Sequence, residues 1–384
     1  MIQYGKQVIC EDDIESVTSV LRSDFLTQGP AVPLFEENFK RFVGANEAVA
    51  VNSATSALHL ACIALGVTAG DLVWTSPISF VASANCARYC GASIDFVDID
   101  QSTINIDINA LTIKLENASR FGKLPKVLIA VHMTGLSADM HAISELARKY
   151  HFSVIEDASH AVGATYRNTK VGSCTYSDIT VFSFHPVKII TTGEGGIATT
   201  NCPNLAANMR RNRSHGITRD KADFSRGTTS PWHYEQVSLG YNYRMTDIAA
   251  ALGNSQLRKI GHLIAKRKTL VHEYNGLLRN LGIELPGQTV ADGSSWHLYI
   301  IKLPGGSSCE RDQLFKKLTR DGIGVNVHYE PIHLQPYYRH LGFREGQFAQ
   351  AENYSSRCLT LPLHPSLDSE SIDYVSNRLW SHLS

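Results

Sequence analysis

The 384-residue chain has no excess charge of either sign, because 36 basic residues cancel 36 acidic ones and charged residues make up only 19%. Such a balance leaves no electrostatic footprint for nucleic acid or for an anionic membrane surface. Apolar runs of membrane-spanning length are missing too, so no membrane association is expected. The opening residues, MIQYGKQVICEDD, have neither a basic start nor an apolar stretch, which argues against a secretory leader and for the cytoplasm. Cysteine is sparse and scattered: of Cys10, Cys62, Cys86, Cys90, Cys174, Cys202, Cys309 and Cys358, only Cys86 and Cys90 are close. Metal and iron–sulfur sites favour tighter, repeated spacing, so no metal is expected. The thiols read as small buried hydrophobes in a reducing compartment. Internal repeats and low-complexity tracts are also lacking.

What is present is alternation. Residues 47–53, 71–76, 93–98, 125–133, 152–157 and 179–184 are short, β-rich runs, and helical spacing fills several of the gaps (54–66, 79–91 and 137–150). Near-continuous apolar strands between helices predict an α/β domain with a mostly parallel central sheet covered on both faces. Two amphipathic helices, near 11–23 and 32–44, precede it. After about residue 245 the pattern changes to one long helix over 246–282. A smaller C-terminal α+β domain follows, with strands at 296–304 and 325–331 and a helix at 310–322. Residues 286–295 read as a loop. The expected division is a large domain over 1–250 and a linking helix with the small domain over 251–384.

Four features of the large domain lie where open α/β sheets place ligands, at strand C-termini. NSATSAL (52–58) passes from strand to helix through small hydroxylated residues; it is either a plain N-cap or a phosphate cradle of free helix N–H groups. SPISFVASAN (76–85) sets Phe80 on a turn, as a core residue or as a platform for a flat ring. EDASHA (156–161) follows a strand, and Asp157 is either a helix cap or a carboxylate reaching a cleft, with His160 close by. VFSFHPVKIITTGEGG (181–196) carries Lys188 in apolar company. GEGGIA superficially fits a dinucleotide fingerprint, but the residues after it continue as a strand rather than a helix, which excludes that reading. Desolvation lowers the pKa of a semi-buried lysine and frees its amine for Schiff-base chemistry. A cradle, a stacking ring, a carboxylate and an amine are together the parts that pyridoxal phosphate requires.

With LTQG, NSATSAL, SPISFVASAN, EDASHA, the lysine segment and YNYRMTDIAAALG, the chain resembles the DegT/DnrJ/StrS sugar aminotransferases over nearly its whole length. The resemblance implies the fold type I architecture of pyridoxal-phosphate-dependent transferases. It implies that Lys188 is the Schiff-base and proton-shuttling lysine, and that Asp157 pairs with the pyridine nitrogen. Phe80 would stack on the ring, His160 would stand beside the cofactor, and Ser183, Ala54 and Thr55 would hold its phosphate. Asn242 matches a residue that reaches the phosphate in a neighbouring subunit, implying a homodimer with shared sites. Tyr4, Phe25, Leu26, Thr27, Gln28, Asn326, Val327, His328 and Tyr329 match positions around a nucleotide-sugar substrate; by pattern alone, His328 and Tyr329 are ordinary strand residues. The implied substrates are L-glutamate and a UDP-linked 4-keto-6-deoxy-N-acetylhexosamine, with ketosugars of the aminoarabinose or perosamine type as alternatives. Dehydratase relatives carry histidine in place of the lysine, so Lys188 favours transamination. A non-catalytic regulator on the same fold is the remaining alternative. Arg213, His215 and Arg244 are candidates for the donor's carboxylates.

Overall fold

The computed structural model describes residues 1–225, 230–287, 293–305 and 307–383. All six predicted runs become strands of one sheet: β1 (Glu47–Val51), β2 (Leu72–Thr75), β3 (Ser93–Phe96), β4 (Val127–Val131), β5 (Ser153–Asp157) and β6 (Ile179–Ser183). The residues after the glycine cluster add a seventh, β7 (Gly196–Thr200). The order is β1-β7-β6-β5-β4-β2-β3. β7 runs antiparallel to both its neighbours, and the other pairings are parallel. Every residue of β4, β6 and β7 is buried, as expected for strands covered on both faces.

The two N-terminal helices form as α1 (Glu11–Leu21) and α2 (Ala31–Val43). Helical periodicity buries Val32, Phe35, Phe39 and Val43 of α2 against the sheet, and Gly44 ends the helix in the left-handed conformation (φ 81°). Helices α3 (Ala54–Ala64), α4 (Ala82–Tyr89), α5 (Ile108–Arg120), α6 (Met140–Tyr150) and α7 (Pro203–Arg213) complete the covering layers.

The long helix expected over 246–282 is two helices, α8 (Asp247–Arg258) and α9 (Ile260–Leu278), separated at Lys259. The Lys259 amide bonds to the carbonyl three residues back, at Gln256, which closes α8 in a tight turn. Its ammonium is drawn to the buried Asp13 carboxylate of α1. The break lets the two helices bury different faces. α8 packs on α1 and α2, whereas α9 starts in one hydrophobic core with Ile260 and Leu263 and ends in another with Leu270, Tyr274 and Leu278.

That second core also holds the antiparallel pair β8 (Tyr299–Lys302) and β9 (Cys358–Leu361), together with helices Ser308–Arg320 and Ser369–Leu383. The strand expected at 325–331 does not form. Only Asn326 pairs with a neighbour, Thr360; its side chain then accepts the Val327 amide, and the Tyr354 hydroxyl donates to the His328 carbonyl. Side chains thus satisfy backbone groups that a ladder would have used. Within the stretch read as a loop, residues 288–292 lie outside the described residues.

Candidate active site

At the C-terminal ends of β1, β5 and β6, a cavity of about 650 Å³ opens between the strand ends and the 325–329 segment. It is lined by Tyr4, Ala54, Thr55, Phe80, Asp157, His160, Ser183, Lys188, Asn326, His328 and Tyr329, all named from the sequence. One chain therefore brings together residues spread over most of its length.

The cradle comes from the β1–α3 turn. The Ser53 side chain caps the helix by accepting the Ser56 amide at 3.1 Å, and Ser56 donates to Asn52 Oδ1 at 2.7 Å. Ala54 and Thr55, whose amides have no acceptor within the helix, face the cavity. The N-cap and cradle readings both hold. β7 sets the floor here: a Cβ on Gly196 would stand 2.5 Å from the Ala54 amide nitrogen, so only glycine lets the strand run so close to the cradle.

Asp157 ends β5 and is buried. Ser83 Oγ of α4 donates to its Oδ2 at 2.6 Å, and the Ser159 amide and hydroxyl donate to Oδ1 at 3.1 and 2.5 Å. Three donors fix the carboxylate's orientation. Lys188 lies past the end of β6, its amide bonded to the His185 carbonyl. Burial lowers its pKa to about 8, against an opposing pull from Asp157. Phe80 is 59% exposed with its ring 6.5 Å from that of Tyr329, so it is a rim residue and not a core one.

Three imidazoles crowd one side of the cavity. His160 Nε2 is 3.2 Å from the Tyr329 hydroxyl, and its ring lies 4.4 Å from that of His297. Burial, reinforced by Lys188, holds His160 well below the usual histidine range and His328 at about 3. His297 is also held well below that range, by burial and by the neighbouring His160. All three are neutral at pH 7. The Nδ1 atoms of His160 and His297 are buried without a hydrogen-bond partner among the described residues.

Other predicted residues stand elsewhere. Phe25, Leu26, Thr27 and Gln28 are exposed and do not line the cavity. Val327 packs against the buried core that includes residues of β2 and β4. Asn242 is exposed on the segment that bridges Ser214, outside the cavity wall. Arg213 is engaged by Glu36 at 2.6 Å and the Ala50 carbonyl at 2.7 Å, which takes it out of donor recognition in this cavity. His215 and Arg244 lie off the wall as well. Sequence reasoning missed Ser83, His297, His185 and Glu194. Ser79 and Ser83, one helical turn apart and 2.6 Å between hydroxyls, were a legible signal for a hydroxyl relay; the other three carried none.

The parts fit pyridoxal phosphate: a helix-led anion cradle, a buried and triply bonded carboxylate, a rim aromatic, an amine of lowered pKa and unpartnered ring nitrogens. A family profile described as the DegT/DnrJ/EryC1/StrS aminotransferases matches residues 7–380. The UDP-4-amino-4,6-dideoxy-N-acetyl-β-L-altrosamine transaminase of Campylobacter jejuni is 38% identical, over all of this chain and 98% of its own. The GDP-perosamine synthase of Caulobacter vibrioides is also 38% identical, over 89% and 87%. Among solved structures, Helicobacter pylori PseC, an aminotransferase of pseudaminic acid biosynthesis, superposes with a TM-score of 0.90 and 32% identity, covering 100% and 99%.

Proposed function

The chain belongs to the DegT/DnrJ/EryC1/StrS aminotransferase family, and from that premise we propose that it aminates C4 of a UDP-linked 4-keto-6-deoxy-N-acetylhexosamine with L-glutamate as donor. The product would be UDP-4-amino-4,6-dideoxy-N-acetyl-β-L-altrosamine, an intermediate of pseudaminic acid biosynthesis. The general activity is that of a sugar aminotransferase, and its cofactor is pyridoxal phosphate. The observation that carries the reading is the convergence of Lys188, Asp157 and the Ala54–Thr55 turn on one cavity. Full-length similarity to the Campylobacter and Helicobacter enzymes supports the choice of sugar.

Ala54, Thr55 and Ser183 would hold the cofactor's phosphate, Asp157 its ring nitrogen, and Phe80 and His160 its ring. Bound there, pyridoxal phosphate supplies the electron sink that lets nitrogen pass between an amine and a carbonyl carbon. Lys188 takes and returns the proton at the sugar carbon, which suits an amine whose pKa is near the working pH. Asp157, held in orientation by Ser83 and Ser159, would face the ring nitrogen. Tyr4, Asn326, His328 and Tyr329 form the wall that receives the sugar.

Lys188 is the only lysine or arginine among the described residues lining the cavity. A nucleotide diphosphate and a dicarboxylate donor need more positive charge than that. A second copy of the chain would supply it, in a homodimer with shared sites to which Asn242 and the exposed 25–28 segment contribute.

The test is a panel of UDP-, GDP- and dTDP-linked 4-ketosugars with product stereochemistry read by NMR. Turnover of the UDP-N-acetyl sugar with amination at C4 is expected. Preference for a GDP-linked ketosugar or for an aminoarabinose precursor would replace the substrate.

A further inference from the structure

The hydrogen bonds around Asp157 do not end at Ser83. The turn from β2 into α4 carries Ser79, whose hydroxyl oxygen lies 2.6 Å from that of Ser83. Both serines are buried, so the contact between them is shielded from water. Ser83 donates to Asp157 Oδ2 at 2.6 Å, and that uses its only proton. Ser79 is therefore the donor between the two hydroxyls. The three groups form a chain with one direction, from Ser79 through Ser83 to the carboxylate. The turn that carries Ser79 is itself braced. The Ile78 amide donates to the Ser76 hydroxyl at 3.2 Å, the Ile332 amide donates to the Pro77 carbonyl at 2.8 Å, and the Ile78 side chain is fully buried. Ser79 thus stands at a fixed point four residues ahead of Ser83.

We propose that Ser79 is a positioning residue for the cofactor: through Ser83, it sets how firmly Asp157 holds the ring nitrogen of pyridoxal phosphate. This rests on the pairing of Asp157 with that nitrogen proposed above. Hydrogen bonds in a chain polarise one another, so a proton arriving at the Ser83 oxygen makes Ser83 a stronger donor to the carboxylate. The same bond opposes rotation of the Ser83 hydroxyl, because a serine on a helix can otherwise turn its proton to a carbonyl of the preceding turn. The influence of Ser79 on the cofactor passes through Ser83, which is what separates this role from bracing the turn.

The test titrates pyridoxal phosphate into cofactor-free wild-type, Ser79→Ala, Ser83→Ala and doubly substituted proteins, and follows the near-visible absorbance of the loaded proteins against pH. Ser83→Ala removes the bond to the carboxylate and should weaken cofactor binding at least about tenfold, whereas Ser79→Ala removes a bond between hydroxyls and should weaken it about threefold. The double variant should bind within about twofold of Ser83→Ala alone, because the Ser79 effect has no other route. In Ser79→Ala the pH midpoint of the absorbance change should move in the same direction as in Asp157→Asn, and by less. An additive loss in the double variant, or a Ser79→Ala midpoint that stays put where that of Asp157→Asn moves, would overturn the relay alone. A midpoint unmoved in Asp157→Asn would overturn the assignment of Asp157, and the relay with it.

Discussion

Lys188 illustrates how an environment sets the chemistry of a single side chain. Its surroundings lower the ammonium's pKa from 10.5 to about 8, chiefly by burial. The folded value lies below the unfolded one, so between these limits the unfolded chain binds more protons, and the stability of cofactor-free protein rises with pH across that window. Thermal melts of apoprotein should show that rise, and Lys188→Met should flatten it; an identical slope in both proteins would refute the assignment. At this scale the sequence was informative where a residue type is out of place. A lysine among isoleucines and a carboxylate after an apolar strand announced themselves. His297 did not, because its role comes from a contact with His160, more than a hundred positions away.

Elements were legible where one face is continuously apolar and illegible where side chains replace the ladder. Burial on both faces marked the six strands, whereas the 325–331 run looked like a strand but has its backbone satisfied by Asn326 and Tyr354. The Lys259 break was invisible because helical periodicity continues on either side of it. Two predictions belong to this scale. Gly196→Ala forces β7 away from the first turn of α3 and should weaken pyridoxal phosphate binding at least about tenfold, or about 1.4 kcal/mol, as measured by cofactor titration. Asp247, the first residue of α8, accepts the amides of Gly29 at 2.8 Å and Ala31 at 2.7 Å and so ties down the entry to α2. Asp247→Ala leaves those donors unmet and should cost about 1–3 kcal/mol in urea unfolding, with Asp247→Asn recovering part of the loss.

For the whole molecule, the question is what covers the exposed apolar side chains. Phe25, Leu26, Phe80, Trp232 and Leu239 are all about half-exposed or more, and Phe80 stands on the rim of the cavity. If two chains share their sites, Lys188→Ala and Asn242→Asp variants each lack activity, yet an exchanged mixture should regain it through the one intact site of a mixed dimer. Activity measured after subunit exchange checks this, and a mixture as inactive as its components would rule out sharing. The fold class was readable at this scale from strand–helix alternation alone. A homodimer, by contrast, was implied only by the match at Asn242, a side chain that is simply exposed in one copy.

Helix α9 is anchored at both ends. Ile260 and Leu263 belong to the core beneath α2 and β7, and Leu270, Tyr274 and Leu278 belong to the core around β8 and β9. Between them, the buried Arg267 guanidinium donates to the carbonyls of Trp296, His297 and Leu363. Those three bonds hold α9 and the segments that carry Trp296, His297 and Leu363 together as one unit. His297 also lines the cavity, so the seat of α9 sets where that part of the wall stands relative to Lys188.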